Sequence, residues 1–220
     1  LKEITEMIYS SNKDISEIDK KIAEISNEFF KGISYYEQEK YTEAIECFER
    51  IIEKLPNFSK VHYYLGMIYI VLEMHEKTIG AFKQVTILEH DNEYAYSAIG
   101  DAYQQLKMYE DAASAYKQAI KIKPEYPFAL FRLGLCYYYL DMEFDAIEFW
   151  KRAILYEPDY VDTHNNLALL YRRKGMLKEA IQSYKNIIEI EPDNLLAYYN
   201  LGVAYMDINM FREAIEANKA

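Results

Sequence analysis

The chain has 220 residues, 51% hydrophobic and 28% charged, enough apolar material for a sizeable buried core and too evenly patterned in polarity for disorder. Its formal net charge of -11 argues against nucleic acid as a partner, because binding a phosphate backbone needs a basic face that displaces counterions. Cys47 and Cys136 lie far apart with no Cys/His ligand spacing, which fits a reducing compartment and speaks against a disulfide framework or a zinc site. No apolar run reaches the ~18 residues of a membrane span, and the first residues lack a secretory signal pattern.

In chain order, residues 1–24 carry a pattern of their own. Leu1, Ile4, Met7 and Ile8 make one short amphipathic turn, and "SSNKD" supplies capping residues before Ile15, Ile18, Ile22, Ile25 and Phe29. Two helices are expected there. They are read as a cap packed on the helices after residue 25, with docking into a partner's groove as the alternative. The chain opens on Leu1 in place of a start Met, so a preceding leader or tag is compatible with it.

From residue 25 a fixed period of 34 residues takes over, giving units 25–58, 59–92, 93–126, 127–160, 161–194 and 195–220. Gly32, Gly66, Gly100, Gly134, Ala168 and Gly202 fall at place eight, and Tyr35, Tyr69, Tyr103, Tyr137, Tyr171 and Tyr205 three places later. Ala44, Thr78, Ala112, Ala146, Ala180 and Ala214 form a second small-residue series, followed by Phe48, Phe82, Tyr116, Trp150 and Tyr184. Pro56, His90, Pro124, Pro158 and Pro192 close the units. Apolar stripes at three-and-four spacing, such as Leu133, Tyr137 and Leu140 and then Ala146, Ile147, Trp150 and Ile154, predict two amphipathic helices per unit. The small residues let those helices approach closely, and proline ends the second helix. His90 breaks that last rule.

This pattern resembles the tetratricopeptide repeat (TPR), a 34-residue helix-turn-helix unit written W-x2-L-G-x2-Y…A-x3-F…P. The resemblance implies an all-α fold: a right-handed α-solenoid of helix-turn-helix repeats with a helical N-terminal leader and a concave groove shared by stacked neighbours. The last unit stops at Ala220, partway through its second helix, which predicts that the chain is a fragment.

Chemistry is sparse. Carboxylates sit beside lysines in "EKYTEA", "YEDAA" and "LKEAI" and read as solvated outer faces. His62 and His164, where the family pattern has Trp, are expected to pack between helices; His75 falls in a turn and His90 at a repeat junction. There is no glycine-rich phosphate loop, no G-x-S-x-G elbow and no triad-like set. No enzyme activity, cofactor or metal is expected.

In the family, first-helix places 2, 5, 6, 9, 12 and 13 tend to face the groove. The resemblance therefore implies a protein-binding surface of Phe29, Phe30, Ile33, Tyr36, Tyr63, Tyr64, Met67 and Ile70, an oily end. It continues through Tyr94, Ser97, Asp101 and Gln104, then Phe128, Phe131, Arg132, Leu135, Tyr138 and Tyr139. Asn165, Asn166, Leu169, Arg172 and Arg173 come next, so polarity rises toward the C-terminal end. Apolar area of this extent marks a surface for other proteins or peptides, an apolar helix above all. Arg132, Arg172 and Arg173 either pair with a ligand carboxylate or sit in solvated or intramolecular ion pairs. In "CYYYL", Tyr137 is a packing residue, and Tyr138 and Tyr139 look into or along the groove.

The carboxylate clamp of the cochaperone subclass is not matched, since Phe29, Ile33 and Tyr64 stand in its slots. The asparagine ladder of O-linked GlcNAc transferases is matched only at Asn166 and Asn200. "KGIS" at 31–34, "FRLG" at 131–134, and His164 with Ala168 are similar to the magnetosome-associated TPR scaffolds of magnetotactic bacteria. That resemblance implies a cytoplasmic scaffold that self-associates around a membrane-bounded organelle, the leader of one subunit entering another's groove, with a membrane-associated protein as a further partner. A peptide-binding adaptor or chaperone, or the substrate-recruiting region of a larger enzyme, are the alternatives.

Overall fold

The computed structural model describes residues 15 to 218, and among them every regular element is a helix. The leader's first turn and its "SSNKD" caps lie outside the described residues. Two compact units divide the chain, Leu1–Met108 and Tyr109–Ala220. The first holds α1 (Ile15–Glu37), α2 (Tyr41–Lys54), α3 (Ser59–Val71), α4 (His75–Leu88) and α5 (Glu93–Gln105). The second holds α6 (Tyr109–Ile122), α7 (Pro127–Tyr139), α8 (Glu143–Tyr156), α9 (Val161–Arg173), α10 (Leu177–Ile190), α11 (Leu195–Asp207) and α12 (Phe211–Ala217). Within each unit every helix packs on its neighbours in sequence, which is the all-α helical-repeat fold that the period implies.

Helix α1 runs without a break through residue 24. Ile22, Ile25 and Phe29 all bury on its inner face, in one core cluster with Ala44, Phe48 and Ile51 of α2 and Phe58, Val61 and Leu65 beyond it. Three-and-four spacing puts these side chains on one stripe, and burying each large one contributes ~1.5–3 kcal/mol.

The close approach inside a hairpin has a definite partner. A Cβ on Gly32 would stand 2.7 Å from the Phe48 ring, and one on Gly66 2.6 Å from the Phe82 ring. Both rings are fully buried. In the second unit Trp150 takes the same role beneath Gly134, and its indole Nε1 donates to the Phe131 carbonyl at 3.2 Å. The large aromatic therefore fits only because the facing residue has no side chain.

Each hairpin turn is built the same way. Glu39, Glu73, Lys107, Asp141, Gly175 and Asn209, one repeat apart, all take positive φ between 53° and 73°. The N–H of each donates back to the carbonyl three residues earlier, and the next N–H to the carbonyl five residues earlier, as in Glu73 to Ile70 at 3.0 Å and Met74 to Tyr69 at 2.9 Å. These are Schellman caps, in which the residue after the αL position packs on the last helical turn. That residue is Met74, Met108, Met142, Met176 or Met210, and in the first repeat Lys40, whose ammonium lies over the Tyr35 ring at 6.0 Å.

At the junctions, the prolines end α2, α6, α8 and α10 or follow them closely. The buried His62 and His164 meet the carbonyls of Pro56 and Pro158, each at 2.7 Å from Nε2. A carbonyl only accepts, so Nε2 carries the proton in both. Where His90 replaces proline, the Asn92 side chain caps α5 by accepting from the Ala95 N–H at 2.9 Å, and Asn194 caps α11 on Ala197 in the same way.

Candidate protein-binding surface

In the first unit, the implied groove residues of α1, α3 and α5 form a continuous aromatic array. Tyr36 meets Tyr64 at 5.7 Å between ring centroids, Tyr64 meets Tyr63 at 6.2 Å, and Tyr63 meets Tyr94 at 5.7 Å. The Tyr94 hydroxyl donates to Met67 Sδ at 3.1 Å. Ile33, Tyr36, Tyr63, Tyr64 and Met67 are half-buried, while Ile70 and Tyr94 are exposed. Edge-to-face ring pairs of this kind add ~0.5–1.5 kcal/mol beyond the area they bury, so the array is stiff while part of its apolar surface stays in water. Burial, then the neighbouring Tyr36 and Tyr64, push the Tyr63 hydroxyl above its ordinary value, and it remains a neutral donor at physiological pH.

Phe29 belongs elsewhere. It is buried against Phe58 at 5.2 Å and Phe48 at 6.1 Å, where it serves the core, and its neighbour Phe30 is 58% exposed. Ser97 is buried, and Asp101 and Gln104 are half-buried on α5. Beside Ile70 opens a cleft of about 300 Å³ lined by Glu73, His75, Thr78, Asp101 and Gln105 among others. Behind the array, Arg50 of α2 bonds Glu28 of α1 at 2.5 Å and the Cys47 thiol at 3.3 Å. Burial pushes the Glu28 carboxyl up, but the Arg50 and Cys47 hydrogen bonds more than reverse it. Burial, then Glu28, push the Cys47 thiol up, which makes it an inert structural group.

In the second unit, the three tyrosines of α7 separate. Tyr137 is buried and stacked on Phe149 at 5.4 Å. Tyr138 is half-buried against Trp150 at 6.0 Å. Tyr139 is 52% exposed and stacks on Tyr109 at 4.7 Å with 16° between the planes. Phe131 is buried against Tyr160 at 4.9 Å, Arg132 lies over the Phe128 ring at 5.1 Å, and Leu135, Asn165 and Asn166 are half-buried. Leu169 is 45% exposed.

Arg172 and Arg173 are taken up within the chain. Arg172 Nε donates to Asp207 Oδ2 of α11 at 3.0 Å. Arg173 covers the Tyr138 ring at 5.1 Å and donates to its hydroxyl at 3.3 Å. Arg173 and Lys174 also both bond Glu143 of α8. The Lys174 hydrogen bond, helped by the Arg173 charge, holds the Glu143 carboxyl below its ordinary range. Glu143 and Asp207 are not among the surface residues that the sequence implies, nor are Leu196, Tyr199 and Met206 of α11. The last three are 62%, 61% and 46% exposed at places 2, 5 and 12 of the last repeat, so apolar exposure returns beyond Arg173. The same 34-residue ruler, carried one unit further, finds them. Among the described residues no group of three or more His, Cys, Asp and Glu side chains is arranged to hold a metal, and no helix is long and apolar enough to cross a membrane.

Paired helices with small residues facing aromatics, Schellman turns every 34 residues and aromatic faces on the first helices define a helical-repeat interaction module. Family models agree: the TPR repeat matches residues 100–141 and 168–209, and the tetratricopeptide repeat matches 29–58, 128–160 and 149–182. The chain belongs to the tetratricopeptide-repeat family. No curated protein sequence matches it. Among solved structures it is similar to MamA, with 24% identity over 73% of this chain and 94% of that one and a TM-score of 0.71. It is also similar to YrrB, a TPR protein with an unusual peptide-binding site, with 20% identity over 80% and 94% of the two chains and a TM-score of 0.65. A third likeness is to PilW, a widely conserved type IV pilus biogenesis factor, with 16% identity over 88% and 90% and a TM-score of 0.64. At these identities the likeness is one of fold, and the chain is a protein-interaction scaffold of TPR type.

Proposed function

We propose that the protein is a non-catalytic scaffold that binds an apolar helical or peptide segment at the aromatic face of the first helices α1, α3 and α5 in its first unit. The array Tyr36–Tyr64–Tyr63–Tyr94, with Met67 and Ile70 beside it, carries this reading. Stiff aromatic surface loses little side-chain entropy on binding, and aromatic and Met side chains dominate interface cores. The test is a pull-down from native lysate, read by mass spectrometry, with wild type against Ile70→Asp. Ile70 is 39% exposed, so the variant keeps its helical circular dichroism and loses at least one abundant partner. An unchanged partner set contradicts the reading.

A self-associating form of the scaffold, on an organelle surface as in magnetosome-associated TPR proteins, is supported by the likeness to MamA and by the short motifs at 31–34 and 131–134. It is tested by light scattering of the full chain against one lacking residues 1–14, a cut that spares the buried Ile22 and Ile25. Equal monomeric mass for both sinks it.

A further inference from the structure

We infer that the aromatic face of the first unit takes a proline-rich segment of another protein in the extended polyproline II form; this rests on the scaffold reading and adds the partner's chemistry. The hydroxyls of Tyr36, Tyr63 and Tyr64 point to it. All three side chains are half-buried, and Tyr36 and Tyr64 stand close enough to act electrostatically on the Tyr63 hydroxyl. None of the three hydroxyls has a hydrogen-bond partner among the described residues, and none is sealed from the surface. The neighbouring Tyr94 hydroxyl is already committed to Met67 Sδ. Helix α3, which supplies Tyr63, Tyr64, Met67 and Ile70, holds no carboxylate, and its one lysine is Lys60 in the first turn. The face is thus a set of rings with O–H donors among them and little charge.

These donors select among peptide conformations. A hydroxyl covered by a ligand and left without an acceptor loses its hydration for nothing, so the occupant has to bring acceptors to the face. A helical segment does not, because its carbonyls are bonded within itself except for the last four. A β-strand would bring unpaired N–H groups as well, and a face made of helices has no open backbone edge to receive them. A polyproline II segment has no internal hydrogen bonds, so its carbonyls are all available to the tyrosine hydroxyls. Proline has no N–H to be left unpaired, and its rings dock on aromatic-lined surfaces with little loss of chain entropy, since the segment is extended before it binds. Neutral rings and hydroxyls ask for no charged side chain, so salt changes the affinity little.

The experiment is fluorescence anisotropy of the intact chain with three labelled peptides of equal length: an oligoproline, an amphipathic Leu/Ala helix and a Gly/Ser coil. The oligoproline binds about tenfold tighter than the other two, and its affinity holds from low to high salt. Tyr36→Phe/Tyr63→Phe/Tyr64→Phe keeps the rings and the helical circular dichroism but removes the donors; it weakens the oligoproline about tenfold and leaves binding of the helical peptide unchanged. Either control peptide binding as tightly as the oligoproline, an oligoproline that binds the triple variant as tightly as wild type, or no binding of the oligoproline overturns the inference. In each of these cases a partner still lost from the Ile70→Asp pull-down leaves the scaffold reading in place, and an unchanged partner set there removes that reading as well.

Discussion

At place eight of the first, second and fourth repeats, one methyl group separates a fitted hairpin from a strained one. Gly66→Ala would gain ~1 kcal/mol of helix propensity, but its Cβ would stand 2.6 Å from a Phe82 ring that Tyr63 and Tyr94 hold at 5.8 and 5.9 Å. Overpacking costs ~1–3 kcal/mol, so the net effect in urea denaturation is a loss of stability; a gain would show that the ring moves freely. The glycine series was legible because its spacing is strict, and the identity of the residue it faces was not, since it lies on the next helix. The arginines carry the same lesson. Arg173 meets Glu143, thirty residues back, and Arg172 meets Asp207, thirty-five ahead, so residue type alone left open whether they faced a ligand or the chain itself. The Glu143 carboxyl is held below its unfolded value by Lys174 and Arg173, so its contribution to stability is complete above that value, near pH ~4.3, and is lost as the pH falls through the lower folded one. Glu143→Gln therefore lowers the denaturation midpoint at pH 7, and the gap from wild type closes in acid. A gap that persists at pH 2 contradicts the pairing.

Between residue and molecule, the turn is the recurring element. Five of its six αL positions are filled by side-chain-bearing residues, Glu39, Glu73, Lys107, Asp141 and Asn209. An L residue there costs ~1–2 kcal/mol relative to the right-handed region, partly offset when glycine replaces it because glycine is freer in the unfolded chain. Glu73→Gly is thus stabilising by ~0.5–1 kcal/mol and Gly175→Ala destabilising by ~1 kcal/mol, both read as shifts of the urea midpoint at constant slope. Two shifts of the same sign contradict the turn geometry. The glycine rule hides this turn in the sequence, because only Gly175 obeys it; the methionines at 74, 108, 142, 176 and 210 mark it instead, each standing where a Schellman cap favours an apolar residue. Helix periodicity likewise predicts the core stripe Ile22, Ile25 and Phe29, but reading Phe29 as groove-facing follows the family's register, whereas the ring turns to Phe58.

For the whole molecule, the period of 34 residues made the fold class readable without any long-range information, because each repeat contacts only its neighbours. The surface was legible in outline only. Register proposes which side chains share a face, but whether a tyrosine is buried, stacked or open depends on rings one repeat away: Tyr137 rests on Phe149, Tyr138 on Trp150, and Tyr139 on Tyr109. Engagement of partners by the first-helix face of α1, α3 and α5 is open to site-directed photo-cross-linking. A benzophenone side chain is placed at position 67 on that face and, for comparison, at position 87 on α4, where Ile87 is 59% exposed. We expect a partner to be captured from position 67 and not from position 87. Capture of the same partner from position 87 alone, or equally from both, would contradict binding at the aromatic face.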